Sequence, residues 1–211
     1  MDARHWDSDW VLVYRNNTNA TNERTVISTV IPRVGVSDSL HVILLDGSRG
    51  TRARNAALLL GALNSLVLDF VARQKLAGTN LGHFVFQQLP MLPPAAFSSS
   101  AVDYIVPRVL ELTYTASNMS PWAADLGYAN TPFEWRRERR AFVRAELDAY
   151  YAHLFGLTRR DLAYVLDPAD VFGPEFPSES FRVLRENEHA KHGEYRTRRL
   201  VLEAWDRLFG A

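Results

Sequence analysis

The chain has 211 residues, 47% hydrophobic and 23% charged, and its 24 basic and 24 acidic side chains give a formal net charge of zero. That length and composition predict one or two globular domains with enough apolar material for a core. The lack of cysteine excludes disulfides, thiolate chemistry and Cys-ligated zinc, and it fits a reducing, cytoplasmic setting. A free-standing nucleic-acid binder is usually basic. The charge balance therefore predicts weak binding to DNA in isolation, and leaves room for a site-reading module whose phosphate clamp lies partly on another domain.

In chain order, residues 1–10 are polar and acidic, with no apolar stretch of the signal-peptide kind. Trp10-Val11-Leu12-Val13-Tyr14 reads as a strand, and after a polar run the β-branched residues resume from Thr25 to Ile31 and stop at Pro32. Residues 41–45 read as a third strand, closed by the turn pair Asp46-Gly47. Asn55 is placed to cap a helix over 56–75, with Gly78 beyond its end. The helix is apolar around most of its circumference, which predicts burial on a sheet face. Its polar interruptions, Asn64, Ser65 and Asp69, argue against a membrane span. Residues 83–87 suit a short strand. The prolines at 90, 93 and 94 then hold an extended segment.

Ser98-Ser99-Ser100 marks a boundary, after which nearly everything reads as helix. Phe142, Val143, Leu147, Tyr150, Tyr151, Leu154 and Phe155 follow helical spacing, Gly156 is placed to end that helix, and Thr158 with Asp161 resembles a capping box for the next. Leu200, Val201, Ala204, Trp205, Leu208 and Phe209 share one face of a last helix. The expected class is α+β: a mixed sheet-and-helix module over residues 1–97, then a mostly helical module over 98–211.

Catalytic motifs are missing. An amino-methyltransferase needs an Asn/Asp-Pro-Pro-aromatic loop to hold the target amine, but the single Pro-Pro, Pro93-Pro94, lies between Leu92 and Ala95. No Glu-x-Lys of the common restriction-nuclease type occurs, nor a phosphate-cradling Gly-x4-Gly-Lys loop, nor a Gly-x-Ser-x-Gly elbow. His189 and His192 share a helical spacing but lack an evident third ligand. No catalytic or metal site is assigned.

Two segments carry chemistry suited to base edges. The first holds Arg15, Asn16, Asn17, Thr18, Asn22, Arg24 and Thr25; the second holds Arg73, Lys75, Thr79, Asn80 and His83. Arg suits guanine, Asn suits adenine, and Thr can bond a base or pack on the thymine methyl. The same residues also suit a polar hairpin loop and a basic, glycine-terminated helix end. Arg136, Arg137, Arg139, Arg140 and Arg144 cluster near a helix start, fitting DNA phosphate, an acidic partner or a solvated helix face.

Four blocks resemble the C-terminal region of type IIG restriction–modification methylases and related phage-defence adenine methylases. They are Arg24-Thr25-Val26-Ile27 with Val30-Ile31-Pro32; Leu63-Asn64-Ser65 through Arg73-Gln74-Lys75, Gly78-Thr79 and Gln88-Leu89-Pro90; residues 107–116; and Phe181-Arg182-Val183-Leu184 with residues 193–206. The second block also resembles recognition domains of type I specificity subunits. The resemblance implies a target-recognition domain with a helical extension. It would read double-stranded DNA for a site-specific adenine-N6 methyltransferase, whose S-adenosylmethionine-binding catalytic domain or subunit lies outside these residues. No cofactor is assigned to this chain itself. The other class of function that fits is a protein-interaction or scaffold module of a defence complex without direct DNA contact.

Overall fold

A computed structural model describes residues 6–177 and 179–210. Its elements are β1 (Trp10–Arg15), β2 (Ser28–Pro32), β3 (Leu40–Ile43), α1 (Arg49–Leu63), α2 (Leu66–Lys75), α3 (His83–Phe86), α4 (Ser99–Thr113), α5 (Ser120–Asp125), α6 (Arg137–Leu154), α7 (Arg159–Leu166), α8 (Ala169–Phe172), α9 (Arg182–His192) and α10 (Arg196–Phe209). The fold is α+β, with one antiparallel sheet of order β2-β1-β3 among the described residues. The chain forms two compact units. The first comprises residues 1–16, 28–61 and 92–135; the second comprises 17–27, 62–91 and 136–211. The serine boundary at 98–100 falls inside the first unit.

In the first unit β1 is the central strand, with Leu12 opposite Val30 of β2 and Ile43 of β3. Residues 10–14 are all buried, which is why this strand is apolar without alternation. Trp10 meets Trp122 of α5 edge to face, ring centres 4.7 Å apart. Its indole N–H donates to the Asp125 carboxylate at 2.8 Å, and that carboxylate also accepts from Arg49 Nε at 3.0 Å. Arg52 of α1 donates to Asp7 and Ser8 and to the carbonyls of Leu45 and Gly47, tying the chain before β1 to the turn before α1.

In the second unit α10 lies along α6, and both pack with α7 around Ala145, Ala149, Leu162, Leu166, Val201 and Trp205. Gly156 takes φ +77°, the left-handed turn that lets the chain leave α6 at low cost. Thr158 Oγ1 then accepts from the Asp161 N–H at 3.2 Å, while Asp161 accepts from the Thr158 N–H at 2.8 Å, a reciprocal capping box opening α7.

Three local expectations are corrected. Residues 56–75 form two helices, because the Ser65 side chain accepts from the Leu68 N–H and donates to the Ala62 carbonyl, closing α1 and capping α2. Helix α1 begins at Arg49, so Asn55 lies inside it rather than at its cap. The His83–Phe86 segment is a helical turn, not a strand, with the Phe86 N–H on the Gly82 carbonyl and the Gln87 N–H on that of His83. No single helix among the described residues is long and apolar enough to cross a membrane.

Thr158→Ala removes one half of the capping box, and the expected cost is about 1 kcal/mol, read as a lower urea midpoint with an unchanged slope.

Candidate nucleic-acid interface

The two polar segments picked out in the sequence meet within the second unit. The Thr18 N–H donates to the Thr79 carbonyl at 2.8 Å, and Asn17 and Asn80 form an isolated antiparallel bridge. Asn17, Lys75, Thr79, Asn80 and His83 are exposed. This surface follows the C-terminus of α2, where Lys75 complements the helix dipole.

Beneath it lies a buried ionic hub. The Asp69 carboxylate, fully buried, accepts the N–H groups of Thr25 at 2.7 Å and Val26 at 2.6 Å through one oxygen. Its other oxygen accepts Arg73 Nε at 2.8 Å. The Arg73 guanidinium continues to the carbonyls of Ala20, Asn22 and Glu23, and lies 4.6 Å from the Phe181 ring centre. Arg73, expected at a DNA surface, is thus an interior clamp on the 17–27 loop. Because Asp69 takes their N–H groups, Thr25 and Val26 are not in the sheet, and β2 starts only at Ser28. Thr18 and Thr25 are buried too, with Thr18 Oγ1 donating to the Thr25 carbonyl at 2.6 Å and Thr25 Oγ1 to that of Asn19 at 3.2 Å.

A second buried carboxylate fixes the start of α2. Asp148 of α6 accepts the Leu66 N–H at 2.7 Å and lies 3.7 Å from the Arg24 guanidinium, which is half-buried. Burial pushes the Asp148 carboxyl up to about 6, against the opposing pull of Arg24 and the Leu66 N–H. Asn22 is half-buried, its carbonyl taken by Arg73. Arg15 and Asn16 are half-buried residues of the first unit, where the Asn16 N–H donates to the Ser39 carbonyl.

The chain matches no family model, no curated protein and no solved structure. Among the described residues no group of three or more His, Asp or Glu side chains is arranged to hold a metal ion. The sequence reading missed Phe84, an exposed aromatic four residues past Asn80; its position beside two β-favouring residues hid it in an expected strand.

Two outcomes test this geometry. Asp69→Ala leaves Arg73 and two N–H groups buried without their acceptor, and the expected loss is about 3–5 kcal/mol by urea denaturation. For Asp148 the folded chain keeps its proton where the unfolded chain, with a carboxyl near 3.8, has released it. Its contribution to stability therefore falls as pH rises from about 4 to about 6, by about 3 kcal/mol in all. Relative to the native chain, Asp148→Asn should gain stability across that window, and a pH-independent difference would refute the assignment.

Proposed function

We propose that this chain reads the sequence of double-stranded DNA for an S-adenosylmethionine-dependent adenine-N6 methyltransferase of a restriction–modification or phage-defence system. Chemistry is supplied by a catalytic domain outside these residues. The observation that carries the reading is the pairing of residues 17–18 with 79–80, because it sets the exposed Asn17 beside the exposed Thr79 and Asn80. Amide side chains at Asn17 and Asn80 match the donor and acceptor pair of adenine in the major groove. Lys75 suits a neighbouring phosphate. The resemblance of the Leu63–Lys75 block and its Gly78-Thr79 exit to target-recognition domains points to the same reading.

The buried clamp fits this role physically. A loop that reads bases loses less entropy on binding when it is already ordered, and Asp69 with Arg73 orders residues 20–26 from within.

The test is selection of the purified chain on a random duplex pool at about 50 and 200 mM salt, a range over which phosphate contacts weaken visibly. Enrichment of one sequence is expected. Asn80→Ala should then cost about 1–3 kcal/mol at one base position. Lys75→Ala should weaken all sequences alike and lower the salt slope by about one. Retention without enrichment would leave a phosphate-binding surface only, and no retention at either salt would favour the scaffold role.

A further inference from the structure

Phe84 is the most exposed large apolar side chain among the described residues, at 78%. It does not sit on a loose loop. The turn that carries it is closed by four backbone hydrogen bonds, from the N–H groups of Phe86, Gln87, Gln88 and Leu89 to the carbonyls of Gly82, His83, Val85 and Phe86. Leu81 and Leu89 on either side are buried, at 0% and 5% exposure, so the segment is anchored at both ends. The Gln88 side chain donates to the Phe84 carbonyl at 3.2 Å, pinning the turn once more. The fold thus presents a bare aromatic ring on a rigid mount, in a stretch whose other exposed members are Thr79, Asn80, His83, Gln87 and Gln88.

The arginines that suit guanine are meanwhile withdrawn. Arg73 spends its guanidinium on Asp69 and three carbonyls, and Arg24 is paired with Asp148. What the second unit leaves exposed from Thr79 to Gln88 is amide, hydroxyl, imidazole and aromatic, with Lys75 beside it assigned above to a phosphate. In the major groove an A·T pair offers an adenine edge that fits an amide and a thymine methyl that fits an apolar side chain, and a G·C pair offers no methyl.

Resting on the recognition role proposed above, we infer that this surface selects A·T over G·C pairs, with Phe84 packing on a thymine methyl and Asn80 or Asn17 bonding an adenine. A protein partner for Phe84 is the competing occupant. The exposed polar side chains on either side of the ring, at Thr79, Asn80, His83, Gln87 and Gln88, favour DNA, because a protein-binding patch needs a broader apolar surround than one ring.

The experiment uses the full chain and two random duplex pools, one made with thymidine and one with deoxyuridine, which lacks the methyl. The native chain should bind the thymidine pool about fourfold more tightly, the equivalent of about 0.8 kcal/mol for one buried methyl-sized group. Phe84→Ala should bind both pools equally, at the level of the native chain on deoxyuridine, with an unchanged thermal midpoint. Phe84→Leu should restore part of the preference. Equal binding of the native chain to both pools, or a preference that survives Phe84→Ala, overturns the A·T inference while leaving DNA recognition standing. Failure to retain either pool overturns both.

Discussion

The organisation of the candidate interface depends on one buried carboxylate. Asp69 has no access to water, so its charge has to be met by donors inside the protein. Three donors meet it, two from the backbone of the 17–27 loop and one from Arg73. Arg73 in turn brings a charge of its own into the interior, and the loop supplies three carbonyls for its remaining donors. Loop and helix α2 are thus each other's solvent. Remove the carboxylate and both the loop and the arginine lose the interactions that replace hydration.

The coarse architecture was legible from residue patterning. An apolar run at 10–14 marked the central strand, and the 3.6-residue period marked α6 and α10. Gly156 with Thr158 and Asp161 marked the corner between α6 and α7 at the residues the structure uses. The division of residues 56–75 was harder to see, because the break comes from Ser65 bonding its own neighbours within a run that remains apolar on both sides. At the candidate site the residue types were readable and their partners were not. Arg73 and Asp69 stand four apart on one helix, a spacing shared by countless surface ion pairs. Only the loop folded over them makes this pair interior. Lys75, two residues on, is exposed.

The zero net charge has a structural counterpart. Only two of the basic residues are lysines, Lys75 and Lys191. Many arginines in the helical part of the second unit are committed to carboxylates: Arg159 to Asp206, Arg185 to Asp167, Arg198 to Asp170, and Arg199 to Glu194 and Glu203. The exposed pairs among them add little stability. They do cancel a positive field that would otherwise hold the polyanion indiscriminately. Under the proposed role, a reader of sequence working alongside a second domain would gain discrimination from such restraint.

The polypeptide passes between its two compact units after residues 16, 27, 61, 91 and 135. No single cut separates them, and neither can be excised as a continuous piece. A graft intended to transfer the 17–27 loop to another scaffold would have to carry α2 and the segment through Asn80 with it, since those residues supply the loop's buried counter-charge and its bridge. For recombination, natural or engineered, the smallest transferable unit is therefore a three-dimensional cassette and not a stretch of sequence.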